Sequence, residues 1–265
     1  MILSKGAYFG LKDRVRVLDD YLVTLTYYQD QHKIPHHAHE SAYASIVLRG
    51  KYLEKRKSSS EGTEVGTSKV VFRQMGYEHA NEFSNTGGVC LNIELNDESK
   101  DKLGLFSLLF KEYHTTPPTL EIAKVVNALL AGYRDDEINC LIGEFFASFL
   151  LQTQGVRDSV VVNKAVDFIS ENFHRSLSLE EIAAFANVHP VYLARAFKNK
   201  MNSTIGDFIR SKRITSAYFD LFNAESTLTN TAFSTGFFDQ AHFIKSFKGS
   251  FNQTPTQSKN LQKLI

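Results

Sequence analysis

Two kinds of chemistry can be read from spaced residues in this chain. In Pro35-His36-His37-Ala38-His39-Glu40 the imidazoles of His37 and His39 are two positions apart. On an extended strand side chains alternate, so both fall on one side. With His79 joining from another strand, three neutral imidazoles and an open position would suit a divalent metal: Zn²⁺, Fe²⁺, Ni²⁺ or Mn²⁺. The same histidines could instead be hydrogen-bonded inside a barrel mouth, or touch a small ligand there. The second chemistry is recognition of double-stranded DNA. Val191, Tyr192, Ala194 and Arg195 on one helix, and Gln240, His242, Ile244 and Lys245 on another, are outward positions suited to base edges. Arg reads guanine O6 and N7 bidentately, Gln pairs with adenine, and aliphatic side chains meet thymine methyls. Lys198, Lys200, Lys248 and Arg210 suit phosphates, although for Lys200 and Arg210 a solvated surface charge is the simpler reading.

The elements that must position the second set are written between Ser178 and Pro255. Ser178-Leu-Glu-Glu181 has the S-x-x-E form that caps a helix start, and Leu179, Ile182, Ala183 and Ala186 keep helical spacing. Asn187 tolerates the positive φ of a turn, and Pro190 suits the first position of a new helix. Leu193, Ala196 and Phe197 form that helix's inward stripe over Val191 to Met201. A second copy lies about fifty residues on, Tyr192-Leu-Ala-Arg-Ala-Phe-Lys198 matching His242-Phe-Ile-Lys-Ser-Phe-Lys248. Upstream the match slips by one residue, an insertion expected of a turn. Asn202 and Asn252 end their helices, and Thr254-Pro255-x-Gln257 starts another. Phe197, Phe237, Phe243, Phe247 and Phe251 are expected in the core. A helix over Asp207 to Phe222, capped by Thr204, is a strut about 24 Å long. It would hold the paired reading helices for successive major grooves, which recur every ~34 Å.

These residues are similar to the DNA-binding domain of AraC/XylS-type transcription regulators, over roughly 100 C-terminal residues. Ala232, Gly236-Phe237, Asp239-Gln240, His242-Phe243, Phe247-Lys248 and Thr254-Pro255 carry the resemblance. Departures are Asn202 and Asn252 in place of Gly, Thr231 in place of an aliphatic residue, and Lys245 in place of Arg, which lacks the bidentate fork.

Upstream, the chain from Arg14 to Leu95 has β texture. Tyr21 to Tyr28, Ala44 to Leu48, Lys69 to Phe72 and Val89 to Leu95 read as strands. In the last, Val89, Leu91, Ile93 and Leu95 are expected toward a core and Cys90, Asn92 and Glu94 on the other face. Turns are expected at Gly50, Gly62, Gly66, Gly76 and Gly87-Gly88, giving a small barrel or jelly roll, with Lys55 to Ser68 as a mobile hairpin or loop. The His-x-His strand, Gly50 and Gly76-x-x-His79 resemble the cupin-type sensor domain common in AraC-like regulators. In the cupin carboxylate's place stand Tyr43 or Ala44, so Glu40 or Glu82 would have to substitute.

After Thr115-Thr-Pro-Pro118 the pattern turns helical, over Leu120 to Ala131 and around Asp136 to Gln152. The second helix shows Ile138, Leu141, Ile142, Phe145 and Phe149 on one stripe, widened by Phe146 and Leu150. Its partner would be the barrel or the preceding helix, and the family resemblance implies a homodimer seam there. Val160 to Phe173 reads as the first helix of the DNA-binding domain.

The fold expected is α+β: a cupin-like β-barrel sensor domain over residues 1–100, a helical linker or dimerisation region over 101–156, and an all-α domain with two helix-turn-helix motifs over 157–265. A chain of 265 residues has room for two cores. No apolar run approaches a membrane span and no secretion signal is visible, so a cytoplasmic protein without membrane partners is expected. Cys90 and Cys140 form no framework and are expected to be buried small hydrophobes. The net charge of +1 divides into +4 over residues 157–265 and −3 before them, so the DNA argument rests on motif and local charge. The expected function is a non-enzymatic DNA-binding transcription regulator, activator or repressor being left open by the sequence, modulated by a small-molecule effector or metal. RNA polymerase stays open as a protein partner. The rival is a metal-dependent cupin enzyme with a helical accessory domain.

Overall fold

Side chains that are β-branched or aromatic fit a pleated surface, and Tyr21–Tyr28 forms strand β3 over the full stretch read from its composition. The computed structural model describes residues 1–56, 62–67, 69–96, 114–116, 119–154 and 160–263. The other strands are β1 (Ile2–Leu3), β2 (Leu11–Val17), β4 (Lys33–His39), β5 (Tyr43–Arg56), β6 (Gly62–Gly66), β7 (Val70–Arg73), β8 (His79–Leu95) and β9 (His114–Thr116). Strand β8 organises them. Along one edge it pairs antiparallel with β4 near its start and with β3 near its end; its other edge pairs with β5. Beyond β5 lie β6 and β7, and β9 pairs with β7. β1 pairs with β4, in parallel. The result is a curled β half-barrel.

Two expectations about glycine are corrected here. Gly50 and Gly87-Gly88 end no strand; they lie inside β5 and β8, which run 14 and 17 residues. Gly50 has φ +78, and a Cβ there would meet the Gly87 carbonyl oxygen at 2.1 Å. Two backbones touch where both strands bend, and only residues without Cβ allow it. Of the expected mobile hairpin, β6 pairs with Lys51–Lys55 of β5, and residues 57–61 and 68 lie outside the described residues. Thr115 and Thr116, read as part of a breaker, belong to β9.

The alternation in β8 is also corrected. Both faces are buried: Val89, Leu91, Ile93 and Leu95 on one, and Cys90, Asn92 and Glu94 on the other, none more than 5% exposed. Asn92 on the polar face is hydrogen-bonded from neighbouring strands. Ser45 Oγ donates to Asn92 Oδ1 at 2.8 Å, and Asn92 donates to Thr26 Oγ1 at 3.3 Å. Polar residues in this strand therefore mark the inside of the curl.

The chain divides into two units, residues 1–118 with 133–140, and residues 119–132 with 141–264. Helix α1 (Leu120–Ala131) is capped by Thr119 and stopped by Gly132 at φ 72. It buries Ile122, Val125 and Val126 within the second unit, and Ser258 Oγ donates to Asn127 Oδ1 at 3.0 Å. Helix α2 (Asp135–Gln154) begins beside the β-strands, where Arg16 meets Asp135 at 2.6 Å and Asn139 donates to Asp20 at 2.8 Å. On its stripe Ile138, Ile142, Phe145 and Phe146 are buried and Leu141 is half-buried. Phe149 and Leu150 lie outside the described side chains. Cys140, expected inside, is exposed, whereas Cys90 is buried.

The second unit continues with α3 (Val160–Asn172), α4 (Leu179–Phe185), α5 (Pro190–Met201), α6 (Ile205–Asp220), α7 (Leu228–Ser234), α8 (Gln240–Phe251) and α9 (Pro255–Gln262). Among the described residues no helix is long and apolar enough to cross a membrane.

Candidate functional site

Helices α4 and α5 form one corner, and α7 and α8 repeat it. Ser178 Oγ accepts the Glu181 amide at 3.1 Å to start α4, and Asn187 at φ 57 makes the turn. His189 then caps α5 with Pro190 in its first turn. In the second copy Thr227 accepts the Asn230 amide, Gly236 takes φ 87, and Asp239 accepts the His242 amide at 2.6 Å. A Cβ on Gly236 would lie 2.7 Å from the His174 carbonyl oxygen, so this turn needs glycine for space as well as for φ. Asn202 and Asn252 end α5 and α8 in the left-handed conformation, at φ 48 and 54. Thr254 and Gln257 complete a reciprocal capping box.

Each corner rests on its own apolar layer. Leu193 and Phe197 pack with Ile169, Ile182 and Ile209; Phe243, Phe247 and Phe251 stack toward Tyr218, with Tyr218 and Phe251 centroids 4.8 Å apart. Phe237 is buried with them. Helix α6, 16 residues or about 24 Å long, joins the corners. Its Arg213 donates to the Phe173 and Arg175 carbonyls at 2.8 and 2.7 Å, fixing it to the end of α3.

The consequence is a repeated outward face. Val191, Tyr192 and Arg195 are exposed on α5, and Gln240, His242 and Lys245 on α8. Ala194 and Ile244 are only half-buried, so they offer little surface. Lys198 and Lys248 are exposed at equivalent places. Lys200 turns partly inward and donates to Asn163 Oδ1 at 3.2 Å, and Arg210 is paired with Asp207 at 2.8 Å. The reading from sequence missed Phe238. This ring is 89% exposed, directly before the Asp239 cap. The signal was the doubled Phe237-Phe238, since only one ring can enter the corner.

A second site lies inside the half-barrel. His37 and His39 of β4 and His79 of β8 come together, each offering a ring nitrogen within 4.8 Å of the others. Sheet register does this, because His37 and His79 are paired residues across β4 and β8. His36, between strand partners, is exposed. His37 Nδ1 lies 2.9 Å from the Pro35 carbonyl and His79 Nδ1 3.1 Å from the Tyr77 carbonyl, so each donates there and leaves Nε2 as a lone pair. His39 Nδ1 is buried without a hydrogen-bond partner. Glu40 does not join them: it is exposed and accepts the Lys5 amide at 2.6 Å. Glu82, the other carboxylate considered, is at the surface with Lys33 and Lys55. Tyr43 stands closest to the carboxylate's place, its hydroxyl 3.4 Å from His79 Nε2.

Beside the histidines sits a buried ion pair. Arg73 and Glu54, 2% and 1% exposed, are hydrogen-bonded, and Arg73 also donates to the Tyr52 hydroxyl at 2.7 Å. Burial holds all three imidazoles below their ordinary range, His39 at about 3, with the Arg73 charge adding to the effect. They are therefore neutral at physiological pH. The cavity among them is about 20 Å³, room for an ion or about one water. Arg73 and Glu54 were not visible as site residues in the sequence, because nothing local marks a strand residue as facing a polar interior.

Residues 182–260 match a family model described as a helix-turn-helix domain. Over 104 residues, 39% of this chain, the sequence is 31% identical to an uncharacterized HTH-type transcriptional regulator of Staphylococcus aureus, and spans 14% of that protein's length. Over 100 residues it is 25% identical to the regulatory protein SoxS of Escherichia coli, covering 38% of this chain and 94% of SoxS. Among solved structures, the C-terminal domain of AraT, a response regulator from Geobacillus stearothermophilus, is 30% identical with a TM-score of 0.38, covering 39% of this chain and 87% of that domain. Unsaturated fatty acid bound ToxT from Vibrio cholerae is 13% identical with a TM-score of 0.42, covering 94% of this chain and 99% of its own.

Proposed function

We infer that this chain, whose C-terminal residues form a helix-turn-helix domain of the AraC type, is a sequence-specific DNA-binding transcription regulator. The observation that carries the reading is the repeat of exposure along α5 and α8. From Val191 to Lys200 and from Ala241 to Ser250 the buried, half-buried and exposed positions follow in the same order. Arg195 matches Lys245 and Lys198 matches Lys248. A helical bundle that bound no DNA would have no reason to keep basic residues outward at the same two places twice.

In this reading both corners are helix-turn-helix motifs. Val191, Tyr192 and Arg195, and Gln240, His242 and Lys245, face base edges; Ala194 and Ile244 contribute at most a methyl contact to thymine. Lys198 and Lys248 meet phosphates, which position the protein without reading sequence. Held by α6, the two helices enter successive major grooves from one side of the duplex. The half-barrel is a cupin-like sensor, and its polar cavity takes a small effector. What supports the second point is the cavity itself: charged and imidazole side chains buried together at the cost of desolvation, which a structural core does not need.

Selection of fragments from a random DNA pool by the purified full chain tests the reading. Retained fragments should share a site about two helical turns long, with affinity falling steeply as salt rises. Recovery of fragments with no common sequence would remove the base-reading role.

A further inference from the structure

We propose that His37, His39 and His79 form a binding site for one divalent transition-metal ion, zinc by chemical preference, and that this ion is the effector of the half-barrel. Only the effector role rests on the regulator reading; the site itself does not. Three observations point to the ion. Among the described residues these histidines are the group whose ligand atoms converge within 4.8 Å, a spread that places a common centre within reach of Zn–N bonds of about 2.0–2.1 Å after small rotations. The Nδ1 atoms of His37 and His79 donate to backbone carbonyls, the arrangement that fixes tautomer and ring orientation for a metal-ligating imidazole. The third, His39, is 3% exposed and carries a buried ring nitrogen with no partner, which costs stability unless something binds there.

The donor set also chooses the class of ion. Three imidazoles with no thiolate and no carboxylate exclude a structural four-cysteine site and disfavour Ca²⁺ and Mg²⁺, which take oxygen ligands. Glu54 is committed to Arg73 and Tyr52 to the same guanidinium, so neither is free to ligate. The fourth position faces the Tyr43 hydroxyl, which now contacts His79 Nε2 at 3.4 Å; on binding, that hydroxyl would give up the lone pair to the ion and turn to its fourth ligand. The cavity of about 20 Å³ has room for an ion or about one water. An ion here would tie the end of β4 to the start of β8, since His37 and His79 are cross-strand partners.

The test uses the tag-free full chain, stripped with chelator and equilibrated against zinc or cobalt(II). Elemental analysis should find one equivalent per chain, and the cobalt form should show the intense visible bands of a four-coordinate ion. Exchanging His79→Ala and His39→Ala together should abolish both signals, whereas Tyr43→Phe should retain the metal. Parent protein that keeps no metal, or a cobalt spectrum unchanged in the double variant, would overturn the site; the parent spectrum decides even if the double variant does not fold. For the role, affinity for the selected DNA is compared in stripped and zinc-loaded protein, and at least about a tenfold difference is expected, a coupling within the usual allosteric range. Equal affinity in the two forms overturns the effector role. Failure of both forms to bind DNA while zinc binds stoichiometrically would instead fault the regulator reading.

Discussion

Arg195 and Lys245 occupy the same place in two helices of 12 residues each, exposed between inward residues two positions either side: Leu193 and Phe197 for one, Phe243 and Phe247 for the other. The equivalence is one of surroundings and not of chemistry. A planar guanidinium grips two acceptors at once, while an ammonium is a single charged point. On the function proposed above, the first helix should be the more discriminating of the two.

Arg195→Ala should cost ~1–3 kcal/mol at the specific site and relax base preference there, while Lys198→Ala should weaken all sequences similarly and flatten the salt dependence. Gel-shift titrations on specific and random DNA at several salt concentrations separate the two. Equal loss on both DNAs for Arg195→Ala would take it off the list of base readers.

Phe238, 89% exposed before the second reading helix, contributes nothing to the core that would explain an aromatic residue. Burying such a ring against deoxyribose or a thymine methyl contributes on the order of 1.5–3 kcal/mol. Phe238→Ser should therefore weaken the specific complex by at least about tenfold and leave the melting temperature of the free protein unchanged. Unaltered affinity would assign the ring to another surface.

The Arg73–Glu54 pair makes the half-barrel sensitive to single substitutions. Glu54→Gln leaves the guanidinium buried with no counter-charge, a loss of about 3–5 kcal/mol. Replacing both partners by apolar residues of similar volume, Glu54→Leu with Arg73→Met, should cost far less. Urea unfolding of the two variants measures the difference. A single variant no weaker than the double would show that the charges are solvated in solution.

Glu94 is 1% exposed, and burial holds its carboxyl above the ordinary range, opposed by hydrogen bonds from the Tyr8 hydroxyl and the Gly6 amide. With a folded value above the unfolded one, the folded state binds the proton more readily, so this group costs stability once pH exceeds both values. Glu94→Gln mimics the protonated form. Its stability relative to the parent should be highest near neutral pH and decline as pH falls through the raised value toward the ordinary carboxylate range. Melting curves from neutral to acid pH should converge; a constant offset would mean that folding leaves the affinity of the Glu94 carboxyl for its proton unchanged.

Much of the helical half was legible because its signals are local. Ser178, Thr204 and Thr254 cap helices through amides three residues ahead, and Asn187, Asn202 and Asn252 take positive φ by themselves. Apolar spacing within one turn then sorts Leu193 and Phe197 inward and Arg195 outward. The placement of α1 was less legible: the sequence offered it only as one cover for the stripe of α2, and only the fold brings Asn127 to Ser258, 131 residues later.

In the β half the sequence by itself determined that His37 and His39 share a side, because alternation is a property of any extended strand. It also determined most strand positions, though not where they end. Gly50 and Gly87 read alike whether a chain turns or two backbones touch, and the tertiary approach of β5 to β8 settled that they touch. Tertiary structure alone decided that His79 completes the cluster, that Glu40 is spent on the Lys5 amide, and that Arg73 and Glu54 meet inside. Register between distant strands depends on the packing of the whole sheet, and no short window of residues carries it.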